Sequence, residues 1–312
     1  MGKYPISFLD ILSVVGKKVF STQSTVPPIF ETVLFNIRFP RILGAIIVGA
    51  SLSLSGAIFQ GMFKNLLVSP DILGVAHGAG FGAALAVYFS RNIMLYVQGF
   101  AFISGLIAVF LFYYISQRIK HRSTLSLVLS GIAIGAFFYD LILLIKTVAD
   151  PYSQLPSIVF WLMGSLSTVS NQDILFILIP ISLSFFVLFM LRWKINLLTI
   201  DDEEARSMGV DTIHLRLIII ICCTIITASS VCISGVISWV GLVIPHIARI
   251  IVGPDYKDLV ISSALIGSVY LLIIDNLARN LASVEIPLGI LTSVVGVPIF
   301  LFLFIRKGKA WV

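Results

Sequence analysis

Long apolar runs, each closed by a short polar break, set the pattern of this chain. Nine are close to the roughly 20 mostly apolar residues that cross a bilayer as a helix. They cover about 42–62, 72–90, 93–116, 125–148, 173–191, 214–232, 236–252, 259–277 and 287–305. A tenth run, 157–170, is apolar but short, and predicts a partial, interfacial or re-entrant helix with Trp161 as an interface anchor. Residues 4–20 carry apolar positions at helical spacing (Ile6, Leu9, Leu12, Val15, Val19) with Asp10, Lys17 and Lys18 among them. That pattern predicts an amphipathic helix too polar to span, and 21–37 predicts a Ser/Thr/Pro connector. The sharpest break is Asp201-Asp202-Glu203-Glu204-Ala205-Arg206-Ser207-Met208-Gly209-Val210-Asp211, which holds five of the fifteen acidic residues. A polar island between two membrane-length runs lies in water. Its acids favour a helix start, and Gly209 supplies a stop.

Composition agrees. Of 312 residues 58% are hydrophobic and 12% charged, with mean hydropathy +1.06, against about a quarter charged in soluble domains. The class is an all-α polytopic membrane protein. The net charge of +6 reflects basic loops rather than nucleic-acid binding. With the 117–124 loop placed in the cytoplasm, alternation of nine spans puts thirteen of the twenty-one Lys and Arg on that side and eight outside. The knuckle at 201–211 and the C-terminus then face the cytoplasm. The same count exports about forty N-terminal residues with no helix before them, so a helix is expected to precede Met1. Cys222, Cys223 and Cys232 share one apolar run and are expected as buried side chains.

Several motifs stand at the breaks. Arg38-Phe39-Pro40-Arg41 precedes the first span, either as interfacial snorkelling arginines or as an outward cationic patch that Arg279 could join; Asp275 could instead pair with Arg279. Gln60 to Gly74 makes a tight turn in which Pro70 stops an incoming helix and Asp71 caps the next, a plain hairpin or a gate lip. Gly235, Gly241 and Pro245 predict a bent or broken helix, with His246 and Arg249 near its end. Glu285 and Pro287 open the last run. Small residues recur every four positions at Ala45, Gly49, Ser53, Ala57 and Gly61, and at Gly74, Gly78 and Gly82, the pattern of close helix crossings. No Walker phosphate loop, catalytic constellation or metal-ligand spacing stands in the sequence. Ionisable residues inside spans are few (His77, Asp140, Lys146), which disfavours a proton-coupled carrier. Energy for transport would arrive from a partner.

In order along the chain, these segments resemble the BtuC/FecCD family, the membrane subunits of type II ABC importers. The resemblance rests on Arg38-Phe-Pro-Arg41, Gly49 to Gln60, Asn65 to Gly74, Gly78-Ala79, Leu127 to Gly131, Trp161 to Gly164, Ala205 to Val210, Gly241 to Arg249, Asp275 to Arg279, Glu285 to Gly289 and Gly296 to Phe300. It implies ten helices per subunit, the first absent here, with 1–40 as an extracytoplasmic segment and connector. Residues 41–312 would be the permease domain, with a coupling segment at 196–213. It implies a homodimer in the cytoplasmic membrane, two separate ATPase subunits that bind ATP and Mg, and an extracytoplasmic substrate-binding protein. Lipid is the only other partner implied, and nucleic acid is not one.

Position by position, Arg38, Arg41 and Arg279 match arginines that meet the binding protein. Asn65 and Leu67 match one cytoplasmic gate, and Ser123 and Thr124 lie in the other. Asp201, Asp202, Glu203, Glu204, Ala205, Arg206, Met208, Gly209 and Val210 match the segment that couples to the ATPase. One departure is Asn65-Leu66-Leu67, where the family often has Asn-Pro-Leu. Losing the proline frees φ and restores an N–H. The knuckle also carries more acids than is usual. The expected function is a permease subunit with no catalytic, cofactor or metal residues of its own. Its cargo is a metal chelate, iron–siderophore by default, with cobalamin, haem or molybdate open. The alternatives are a stand-alone secondary transporter and a membrane scaffold or receptor.

Overall fold

The computed structural model describes residues 6–20, 27–90, 94–118, 124–200 and 202–307, and among these every regular element is helical. Thirteen α-helices follow in order: α1 Phe8–Phe20, α2 Pro28–Thr32, α3 Phe39–Met62, α4 Val75–Ser90, α5 Met94–Arg118, α6 Thr124–Val148 and α7 Gln154–Leu162. Then come α8 Asn171–Leu197, α9 Asp202–Ser207, α10 Thr212–Ser234, α11 Val240–Val252, α12 Tyr256–Asn280 and α13 Leu288–Lys307. Short links make the successive long helices antiparallel. One end of the bundle carries Arg41, Asp275 and Glu285; the other carries α9.

Each of the nine apolar runs lies largely in a helix, and among the described residues seven helices are long and apolar enough to cross a membrane. The other two are shorter, Val75–Phe89 and Val240–Val252. The 72–90 run loses its start to a single 3-10 turn at Pro70–Leu73 and to Gly74, which sits at φ 79°. The 236–252 run loses its start because Gly235 (φ 66°) ends α10 and Trp239 (φ 72°) precedes α11. Irregular backbone at membrane depth is tolerated where protein surrounds it. Here Ser165 N donates to Ser234 O (2.8 Å), Leu288 N to Gly164 O (2.9 Å) and Gly289 N to Met163 O (3.0 Å). The turn after α7 is thus stapled to the ends of α10 and α13, beside the break. The short helix expected near 157–170 is α7.

The connector expected over 21–37 is different in part. Residues 21–26 lie outside the described residues, but Pro28–Met62 is one continuous helical span of 35 residues. Pro28 opens it, a tolerated place for a residue without N–H. A π-helical segment, Val33–Arg38, stands directly before Pro40, and Phe39 N bonds to Leu34 O, five residues back. Pro40 has no N–H to give and its ring crowds the preceding turn; the widened turn absorbs both.

The small-residue stripes are packing sites, the plain reading of their spacing. A Cβ on Gly49 would stand 2.3 Å from Gly267 O on α12, and one on Gly82 would stand 2.2 Å from Phe100 O on α5. Ser53 completes the α3–α12 crossing by donating to Ser263 O at 2.8 Å. The three cysteines are free and buried. Many large apolar side chains on α5, α6, α8 and α13 face outward (Phe110, Leu144, Ile179, Ile305), as a lipid or partner surface requires.

Candidate functional site

The knuckle is rigid for reasons its sequence contains. After α9, Gly209 adopts φ 80°, a left-handed conformation that glycine enters without steric cost. Val210 N then bonds to Ala205 O (3.2 Å) and Gly209 N to Arg206 O (2.9 Å), the paired bonds of a Schellman stop. Its apolar clasp is present, since Ala205 and Val210 are both buried. The next residue starts α10. Asp211 Oδ1 accepts from Ile213 N (3.0 Å) and His214 N (3.1 Å), and Asp211 Oδ2 meets His214 Nδ1 at 2.6 Å. The His214 backbone N–H, then its ring, hold the Asp211 carboxyl below the usual carboxylate range, so the cap is ionised at neutral pH. Glu203, Glu204, Arg206, Ser207 and Met208 all face out. The sequence expectation of a short helix and turn in water is met in shape. Asp201 lies outside the described residues, and Asp202 opens α9.

At the same end, the turn after α3 repeats this stop with a strained residue. Lys64 takes the left-handed position at φ 48°. Lys64 N bonds to Gly61 O (3.1 Å) and Asn65 N to Gln60 O (3.0 Å). A non-glycine residue there costs on the order of 1 kcal/mol or more. Asn65 then folds the chain back, its Oδ1 accepting from Leu67 N at 2.9 Å. This Asx turn does locally what a proline at 66 would do by fixing φ, and Leu67 is left 50% exposed at the tip. Asp71 does not cap α4 with its side chain, as expected from sequence. Its backbone carbonyl accepts from Gly74 N at 3.1 Å instead, because the 3-10 turn intervenes. Of the second expected gate, Ser123 lies outside the described residues and Thr124 begins α6.

Behind this turn a polar cluster joins α3 to α11 and α12. Arg249 Nη1 donates to Gln60 Oε1 (2.5 Å) and Nη2 to the Tyr256 hydroxyl (3.2 Å), which donates to Ala57 O (3.0 Å). A Cβ on Gly61 would stand 2.2 Å from that hydroxyl, so the small residue is what lets Tyr256 in. In the sequence Gln60 and Arg249 stand in separate motifs, and no local signal joins them to each other or to Tyr256.

At the opposite end, one of the three arginines expected in an outward patch is elsewhere. Arg41 is only 7% exposed and Asp275 is 0%. Arg41 Nε (2.9 Å) and Nη2 (2.7 Å) both reach Asp275 Oδ1. Its Nη1 reaches Glu285 Oε2 at 3.1 Å, and its Nη2 also donates to Glu285 Oε1. Arg279 joins from α12, with Nη2 3.0 Å from Asp275 Oδ2, the i,i+4 pairing that sequence left open. Two cations and two carboxylates therefore balance in one lock that ties α3, α12 and the 281–287 loop. The inward position of Arg41 has a physical cause. Pro40 and Arg41 start the buried face of α3, and an arginine buried there needs carboxylates. Ile286 N bonds back to Ala278 O (3.1 Å), which holds Glu285 in place. Arg38 is half-buried one turn earlier.

Known proteins align with this arrangement over most of its length. The chain is 40% identical over 302 residues to the molybdate import system permease MolB of Haemophilus influenzae, covering 96% of this chain and 88% of that one. It is 40% identical over 274 residues to an iron chelatin transport system permease of Helicobacter pylori, covering 88% and 82%. Among solved structures, a metal-chelate-type ABC transporter in an inward-facing conformation superposes with TM-score 0.85 at 38% identity, covering 96% of both chains. PsaBC from Streptococcus pneumoniae shares the fold alone, at TM-score 0.61 and 16% identity. The fold is thus that of type II ABC importer permeases. A sequence profile described as the FecCD transport family matches residues 1–306, and the chain belongs to that family.

Proposed function

We propose that this chain is the permease subunit of a binding-protein-dependent ABC importer. Two copies would form the pathway in the cytoplasmic membrane, C-terminus inside. Two separate ATPase subunits would bind ATP and Mg below, and a substrate-binding protein would dock outside. The observation that carries this reading is the knuckle. It is a charged helix of six residues, closed by two backbone bonds and anchored by Ala205 and Val210, set between two spans. A rigid, water-facing part of that kind suits the receipt of a push from another subunit.

The reading is tested there. Gly209→Val forces a β-branched residue into φ 80° and removes the Schellman stop. In proteoliposomes with the ATPase and binding protein, cargo uptake per ATP hydrolysed is expected to fall at least tenfold while hydrolysis continues. Uptake coupled as in the parent would count against the coupling role. An ion gradient driving uptake with no ATPase present would favour the stand-alone carrier.

For docking, Arg38 and Arg279 are the better candidates; Arg41 contributes by holding the lock behind them. Arg38→Glu is expected to weaken binding-protein affinity about tenfold, mostly through slower association that salt also suppresses. Surface-plasmon titration against nanodisc-held transporter checks this, and an unchanged association rate removes Arg38 from the interface.

The cargo is a metal chelate or a metal oxyanion, with iron–siderophore the first reading. Molybdate is the second, favoured by the 40% identity to MolB. Parallel uptake of radiolabelled iron–siderophore and molybdate with the cognate binding protein separates them.

A further inference from the structure

Near the middle of α6 stands a charge that lipid does not accept. Val128–Val148 is long and apolar enough to cross a membrane, and Asp140 is exposed within it. Eight residues, about 12 Å at 1.5 Å per residue, separate it from Val148. The short aspartate side chain cannot cover that distance to a membrane surface. Lys146, the other charge of this span, lies in the last turn of α6, where a long stem carries its ammonium to water. Among the described residues no hydrogen bond or ion pair reaches Asp140.

An acid at that depth faces protein or a water-filled path. Its neighbours at helical spacing, Ala133, Ala136 and Thr147, are exposed as well. The stripe they form with Asp140 is small or polar, unlike the outward Phe110 of α5 and Ile179 of α8. Beside the stripe, Tyr139 is 48% exposed, and its ring stands edge-on to the half-buried His77 of α4, centroids 5.9 Å apart. Polar surface thus continues from α6 onto α4. A second copy does not close this face. Two copies inserted the same way keep each residue at its own depth, and an isologous contact here would bring Asp140 against its own counterpart. Like charges disfavour that contact, and water between them is the arrangement left.

On the permease reading above, we infer that Asp140 lines the cargo path and sets its charge preference. A carboxylate from each copy, at mid-depth in low-dielectric surroundings, favours a cationic or neutral chelate and opposes a bare metal oxyanion.

The test needs neither ATPase nor cargo, so its failure and that of the importer reading are separate results. The full chain is held in nanodiscs, with both faces open to solvent. Cys222, Cys223 and Cys232 are free and buried, and the parent protein gives the background labelling. Ala136→Cys places a thiol one turn from Asp140 on the same face. It is expected to react with a cationic methanethiosulfonate roughly tenfold faster than with an anionic one, each rate normalised to a free thiol. Asp140→Asn in the same protein is expected to bring the two rates together, and Asp140→Lys to reverse the preference. Added salt should narrow the preference while Asp140 is in place, which serves if the Asp140 variants do not fold. Ile179→Cys, at a position 75% exposed on α8, is expected to stay unlabelled by either reagent. A thiol at 136 that neither reagent reaches, or that is labelled no faster than one at 179, overturns the water-filled path. Labelling at 136 with no charge preference, or with a preference that survives Asp140→Asn, overturns the selector. The expected labelling pattern without ATP-driven uptake supports the path and counts against the importer reading instead.

Discussion

Asp275→Asn is expected to cost about 3–5 kcal/mol of stability, the range seen when one partner of a buried ion pair is removed. The size follows from what is left behind. Asp275 is 0% exposed, accepts hydrogen bonds from Arg41 on Oδ1, and has the Arg279 guanidinium 3.0 Å from Oδ2 as an ion pair. An amide of the same shape keeps the volume and loses the charge. Two guanidinium groups would then share Glu285 alone, and neither can give up its proton. Glu285→Gln should cost much less, about 1 kcal/mol, because its side chain is 29% exposed and water replaces part of the interaction. Equilibrium unfolding in mixed micelles checks the ranking. Equal costs for the two substitutions would mean that the lock is not organised around Asp275.

The second large effect is steric. Gly56→Ala is expected to cost about 3 kcal/mol or more, at or beyond the upper end of overpacking penalties. The added Cβ would stand 1.8 Å from Gly241 O, 2.6 Å from its C and 2.7 Å from its Cα. All three are backbone atoms, so no rotamer change relieves the clash and α11 must leave α3. Gly44→Ala on the same helix is the control. Its Cβ would meet only the side chains of Leu166, Val169 and Ile174, at 3.4 to 3.7 Å, ordinary contact distances. Yield of monodisperse protein after extraction, followed by thermal unfolding, should separate the two variants clearly. A stable Gly56→Ala protein would refute the backbone-to-backbone crossing.

How much of this the sequence discloses depends on the range of the interaction. Helix positions follow from hydropathy because lipid demands long apolar runs. The knuckle is legible because its parts, Ala205 to Asp211, are neighbours in the chain. The crossings of α3 are legible as four-residue spacing, though the partners Gly241 and Gly267 are not. The lock is harder. Arg41 and Glu285 are 244 positions apart, and no local signal tells a buried arginine from one at the interface. The resemblance drew Arg41 outward with Arg38, whereas the helical phase of α3 turns it in. Arg249 and Tyr256 share a similar difficulty, since Gln60 reaches them from another helix. The extension of α3 back to Pro28 was hidden by Pro40, which reads as a boundary until a π turn accommodates it.

The two glycine crossings have a mechanical consequence. At Gly49–Gly267 and Gly56–Gly241 the backbones of α12 and α11 touch that of α3 with no side chain between them. There is no soft layer to shear. Arg41 with Asp275 pins this assembly at one end, and Arg249 with Gln60 and Tyr256 pins it at the other. These three helices therefore behave as a single stiff keel, with the 35-residue span as its longest timber, about 52 Å at 1.5 Å per residue. A displacement entering at either end is expected to carry the three helices together. Deformation must then concentrate in the helices packed around it, where α8 and α13 bury the least of their length.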